Sequence, residues 1–197
     1  MRYLAVFALI LVSACSSLPF QKKSSLPVEW QQRASQLQQF PNWQIEARFA
    51  AVNGDEAWNG QIIWRQTASH YLIDITGPLN QGAVRIIGNP EGAELRLSDD
   101  EQYFDVDAER LLHRHTGMHL PVNALNFWLR AQIDPRSKAQ NMHFDEQNQL
   151  RSFSQAKWEI EYKRYTQIEN LQMPNKIFLR HPEYQVRIVI KDWKLFV

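Results

Sequence analysis

Cysteine is nearly absent: Cys15 is the only one in 197 residues. A lone cysteine excludes an intramolecular disulfide framework, a zinc site built on paired cysteines and a thioredoxin-like redox pair. Glycine is also scarce, at seven residues, which excludes fibrous and low-complexity classes. Neither sign of charge is in excess, with 22 Lys plus Arg against 21 Asp plus Glu. No basic field is available for a phosphate backbone, so nucleic acid is not an expected partner. The longest apolar run, Leu4 to Val12, has nine residues, whereas a helix needs about 20 to span a bilayer. Signatures of catalysis are missing too: there is no Gly-x-Ser-x-Gly elbow, Walker loop, dinucleotide glycine pattern or His-Glu-x-x-His. No catalytic residue is assigned and no enzyme activity is expected. What the chain has in quantity is aromatic side chains, seven Trp, six Tyr and ten Phe. Something apolar is packed or bound.

The run Leu4 to Val12 follows a single cation, Arg2, and precedes the small residues Ser13 and Ala14, which is the layout of a signal peptide. Val12-Ser13-Ala14-Cys15 is similar to the bacterial lipobox, so Cys15 is expected to become the N-terminus and to carry an S-diacylglycerol and an N-acyl group. No other cofactor is expected. Ser16, where an Asp would resemble an inner-membrane retention signal, points to the outer membrane. The sequence thus divides into a signal peptide over 1–14, an acylated cysteine with a flexible Ser-, Pro- and Lys-bearing tether over 15–27, and a single domain over 28–197.

Within that domain Trp30, Ala34, Leu37 and Phe40 form one apolar stripe on a helix closed by Pro41. The period then changes to two. Trp43 to Phe49 alternates strictly, Asn53-Gly54-Asp55 makes a turn, and Ala57 to Gln66 returns, with Gly60 a candidate bulge or bend. Strands follow at His70 to Thr76, Ala83 to Gly88 and Ala93 to Ser98. Asp107 caps a helix over Ala108 to Thr116 that ends at Gly117, and Pro121 opens another bearing Leu125, Trp128 and Leu129. Strands resume at Asn141 to Phe144, Leu150 to Phe153, Lys157 to Tyr165, Ile177 to Arg180 and Val186 to Trp193. So much antiparallel sheet, about ten or eleven strands with three helices, is expected to form a strongly curved sheet or barrel whose concave side the helices fill. His113, His115 and His119 invite a metal reading, but on a helix i and i+2 diverge and Gly117 breaks the geometry, so no metal site is assigned.

Four stretches resemble the LolB family of outer-membrane lipoprotein receptors: Ile63-Trp64-Arg65-Gln66-Thr67, Thr76-Gly77-Pro78-Leu79, the insertion from Thr116-Gly117-Met118 through Pro121-Val122-Asn123-Ala124-Leu125 to Trp128-Leu129, and Ile188-Val189-Ile190-Lys191-Asp192-Trp193. The resemblance implies an unclosed antiparallel β-barrel of about eleven strands, lidded by three helices over an apolar cavity. Implied partners are a LolA-type periplasmic carrier, acylated lipoprotein cargo and outer-membrane lipids, at the periplasmic face, with the receptor a monomer. By alternation, Ile45, Phe49, Ile62, Trp64, Ile73, Ile75, Ile86, Leu95, Leu125, Trp128 and Leu129 are the expected lining of the acyl-chain cavity, or the dry core beside it. Pro78, Leu79 and Asn80 are the expected membrane-insertion loop; Asn80 departs from the Gly that the family commonly has there. The alternative is a lipid-anchored outer-membrane scaffold or assembly partner with no acyl-chain cavity, recruiting its partner by strand addition at a sheet edge.

Overall fold

Alternation of apolar and polar residues sets the architecture. The computed structural model describes residues 26–78 and 82–197; the expectations for Cys15, Leu79 and Asn80 lie outside the described residues. The first helix, α1 (Val28–Leu37), leads into β1 (Asn42–Asn53), which buries Trp43, Ile45, Ala47, Phe49 and Ala51 while Glu46, Arg48 and Ala50 face solvent. Antiparallel strands follow in a meander: β2 (Glu56–Gln66), β3 (Tyr71–Thr76), β4 (Val84–Asn89), β5 (Gly92–Leu97) and β6 (Gln102–Asp105). Two helices interrupt it, α2 (Ala108–Thr116) and α3 (Val122–Trp128), and the chain returns through β7 (Gln140–Phe144), β8 (Leu150–Gln155), β9 (Trp158–Ile168), β10 (Leu171–Arg180) and β11 (Gln185–Phe196).

The eleven strands form one sheet in the order β6-β5-β4-β3-β2-β1-β11-β10-β9-β8-β7. Two meanders are joined where β1 pairs with β11, and β6 and β7 are left as unpaired edges, so the barrel stays open. Asp107 caps α2 as its composition demands, its carboxylate accepting from the backbone N–H of Glu109 at 2.9 Å and of Arg110 at 3.3 Å. Gly117 ends the helix with φ of 71°.

Five details differ from the sequence reading. Gly60 is not a bulge, since the β1–β2 register runs through it without a shift; a Cβ there would lie 2.1 Å from the backbone oxygen of Thr76, so only glycine allows β3 this close. β6 escaped notice because it is four residues long and follows an acidic turn. β10 starts at Leu171, six residues before the expected Ile177, and runs through Pro174; the missing N–H is accommodated by register shifts on either side of Lys176. α1 stops at Leu37, leaving Phe40 in the turn beyond it, and Leu129 is the residue just after α3.

Candidate functional site

The curved sheet directs one residue in two toward its concave side, and α2 and α3 lie over that side. From the sheet come Ile45 and Phe49 (β1), Ile62 and Trp64 (β2), Ile73 and Ile75 (β3), Ile86 (β4) and Leu95 (β5); from the helical insertion come Leu125, Trp128 and Leu129. All eleven are at most 5% exposed and belong to one apolar cluster. The other half of the sheet contributes equally. Phe153, Ile160, Tyr162, Met173, Ile177, Ile188 and Ile190 are buried in the same cluster, as are Leu111 and Leu112 of α2. The alternation around several of these is visible in the sequence, but the expected lining takes its strand residues from the N-terminal meander alone; the same period-two signal in 157–165 and 186–193 points to the others.

A few polar groups hook the lid to the sheet. The Tyr162 phenol donates to the carbonyl of Trp128 at 2.7 Å, and the Trp128 indole Nε1 donates to Gln155 Oε1 at 2.8 Å. Gln155 in turn donates from Nε2 to the carbonyls of Asp134 and Ser137, both at 2.7 Å, fixing the chain after α3. Burial pushes the Tyr162 phenol well above its usual pKa, so it stays a neutral donor. Glu109 of α2 accepts from the backbone N–H of Asn123 at 3.2 Å and links the two lid helices.

Two cations reach the same interior. Arg33 of α1 donates from Nε to the Gln172 carbonyl at 2.9 Å and lies 3.6 Å from Met173 Sδ, and the Arg130 guanidinium sits 5.7 Å from the Trp43 ring centroid. Burial lowers the pKa of both, Arg130 to about 10 with the neighbouring Arg33 charge adding to the effect. Among the described residues neither has a carboxylate within ion-pair distance. A cavity of about 180 Å³ opens beside Arg33, between α1 and the β7–β8 and β9–β10 turns, lined by Trp30, Leu150, Tyr165 and Leu171 but by none of the eleven residues above.

The histidines separate. His115 stacks on Tyr103 at 3.6 Å between ring centroids, whereas His119 lies between Tyr184 at 4.7 Å and His113 at 5.7 Å. Among the described residues no group of three His, Cys, Asp or Glu is placed to hold a metal ion, and no helix is long and apolar enough to cross a membrane. Pro78 is exposed at the end of β3, just before the stretch outside the described residues.

An open antiparallel barrel with a helical lid over an apolar concave face is an arrangement shared with solved structures. A LolA superfamily protein from Nitrosomonas europaea aligns with a TM-score of 0.50 at 8% identity, covering 85% of this chain and 93% of its own. A DUF1329 family protein from Desulfovibrio piger aligns at 0.54 and 8%, covering 88% and 95%. At such identities the likeness concerns the fold alone. Sequence narrows the assignment further: residues 41–193 match the family model described as Outer membrane lipoprotein LolB. The chain is 36% identical over 191 residues to the Outer-membrane lipoprotein LolB of Nitrosococcus oceani, covering 96% of this chain and 95% of the relative. It is 31% identical over 192 residues to that of Alkalilimnicola ehrlichii, covering 98% and 96%. The chain belongs to the LolB family.

Proposed function

We propose that this chain is an outer-membrane receptor, anchored by acylated Cys15 at the periplasmic face, that takes acylated lipoproteins from a LolA-type carrier and inserts them into the outer membrane. The observation that supports this reading most is the continuous apolar cluster of the concave face under α2 and α3, interrupted by Arg33, Arg130 and a few polar hooks. Acyl chains offer no hydrogen bonds, so such a face holds them by buried area alone, at about 25 cal/mol per Å². The face is packed shut in the free protein, with Trp128 and Leu112 fully buried. Cargo therefore enters by displacing the lid, and the apolar contacts that close it are replaced by contacts with the acyl chain. No bond is made or broken; transfer runs downhill from carrier to receptor to bilayer, with the receptor acting as a monomer.

Delivery falls to the loop that carries Pro78, Leu79 and Asn80. Leu79 lies between the period-two stretches of β3 and β4, and an apolar tip there could gain about 1.5–3 kcal/mol on full burial in the headgroup boundary. Transfer of a labelled lipoprotein from loaded carrier to receptor, and then to liposomes, tests both steps. Leu79→Glu should keep wild-type melting and uptake yet fail at release. Failure of the wild-type chain to take cargo would sink the receptor reading. Mass spectrometry should find Cys15 as an acylated N-terminus, and an unmodified thiol would refute the anchor. The scaffold alternative draws little support from the sheet edges: β6 has four residues and β7 five, with register shifts against β8, and edges this short resist strand addition.

A further inference from the structure

Four cations converge on one aromatic ring on the convex side of the barrel. Lys163 and Lys176 place Nζ 5.5 Å from the Phe178 ring centroid, and the guanidinium carbons of Arg187 and Arg180 stand at 5.8 and 5.9 Å. They come from three adjacent strands, β9, β10 and β11, because the register sets Phe178 opposite Glu161 on one side and Arg187 on the other. Their chain neighbours Tyr162, Ile177, Leu179, Val186 and Ile188 are buried in the core, so the cations occupy the opposite face. Arg48 of β1 extends the patch, since it pairs with Val189, which pairs with Lys176. The acids on this ground are Glu161, which bonds Lys163 and Arg180, Glu159, opposite Arg180 in the register, and Glu46, two residues before Arg48 on the same exposed face of β1. Among the described residues Arg48, Lys176 and Arg187 have no carboxylate within ion-pair distance.

One cation would satisfy the negative face of a phenyl ring; additional ones repel each other. In a chain whose formal charge is only +1, this concentration stands out from the average surface. Its position along the barrel is equally specific. Ile177, Ile188, Phe49 and Gly60 form one row across four strands, and Gly60 abuts Thr76 at the base of the loop that carries Pro78. The next row toward the same end runs Phe178, Arg187, Ala50, Asn59. The patch therefore stands at the level of the barrel end from which that loop leaves.

We propose that Arg48, Lys163, Lys176, Arg180 and Arg187 form a docking surface for anionic phospholipid headgroups, which lays this end of the barrel against the bilayer. Resting on the receptor reading above, it adds the lipid class that orients the receptor for delivery. Phe178, half-buried, serves as the floor on which the cations are held and not as an apolar anchor. Each cation near an anionic surface should favour the docked orientation about fivefold, within a Debye length of roughly 8 Å.

The test uses the full acylated protein reconstituted in vesicles of phosphatidylcholine with or without phosphatidylglycerol. A fluorophore is placed at Gln185→Cys beside the patch, or at Gln147→Cys in the β7–β8 turn at the opposite end of the barrel. Quenching of the Gln185→Cys label by a headgroup-located quencher should rise with phosphatidylglycerol and fall with salt, while the Gln147→Cys label stays unquenched. In a Lys176→Gln, Arg187→Gln variant with wild-type melting, the docked fraction relative to the undocked should drop about 25-fold, and Lys176→Arg with Arg187→Lys should restore it. Equal quenching with and without phosphatidylglycerol, or no effect of the neutral variant, overturns the proposal. So does a neutral variant that docks normally but no longer takes cargo from the carrier, which would give the patch to an acidic protein partner. Carrier-to-receptor transfer measured on the same samples separates the two readings: intact transfer without lipid-dependent docking removes only the patch.

Discussion

The hydroxyl of Tyr162, on β9, donates a 2.7 Å hydrogen bond to the backbone carbonyl of Trp128 at the end of α3. It ties the lid to the C-terminal half of the sheet, while the Trp128 side chain lies within the apolar interior. The Ala131 N–H donates to the same carbonyl at 3.0 Å, so loss of the phenol does not orphan it. Tyr162→Phe should therefore cost about 1 kcal/mol in urea unfolding and quicken uptake of a fluorescent fatty-acid analogue, because one tether of the lid is gone. An unchanged uptake rate would mean that α3 does not move.

Gly60→Ala should be far more damaging than a surface glycine substitution. The added methyl would stand 2.1 Å from the Thr76 backbone oxygen, and Thr76 is itself held in register opposite Gln61. A loss of about 1–3 kcal/mol should appear as a lowered Tm, whereas Gly54→Ala, with open space around it but φ of 55°, tests backbone strain alone. Equal Tm values for Gly60→Ala and wild type would show that β3 can retreat at little cost.

The seat of the α2–α3 connection on the β10–β11 turn should weaken below neutral pH. His119 packs among His113, His181, Tyr184 and Trp158, with Glu183 the one nearby acid. Burial first, then His113 and His181, lower its pKa from 6.5. The unfolded chain therefore binds a proton at a pH where the folded one does not. The stability this represents is fully present above about pH 6.5 and is lost as the pH falls through that value toward the lowered folded pKa. Thermal melts from pH 8 to pH 5 should show this slope in the wild type and a flatter one in His119→Gln.

The concave residues should separate cavity from core by size dependence. Ile75→Ala and Trp128→Ala each empty a buried site and should cost about 2–5 kcal/mol. If the site takes acyl chains, a saturating fatty-acid analogue should restore part of the lost Tm by occupying the vacated volume. A ligand that binds without raising the Tm of either variant would place its site elsewhere.

Much of this was legible along the chain. A strand's inward face is a property of residues two apart, so Ile45, Phe49, Ile62, Trp64, Ile73, Ile75, Ile86 and Leu95 declared their side from spacing alone. Helix ends are equally local, and Asp107 and Gly117 marked the bounds of α2 by the groups they offer to backbone N–H and C=O. Partnership is a different matter. That β1 lies against β11, joining Phe49 to Ile188 across the chain, follows from how the two meanders bury their apolar faces together, which no window of sequence contains. The reason for Gly60 is the nearness of Thr76, and the hook on Trp128 is a tyrosine 34 residues away. The cations around Phe178 read in sequence as ordinary alternating polar positions. Only the register of three strands, set by the packing of the opposite face, brings them onto one ring.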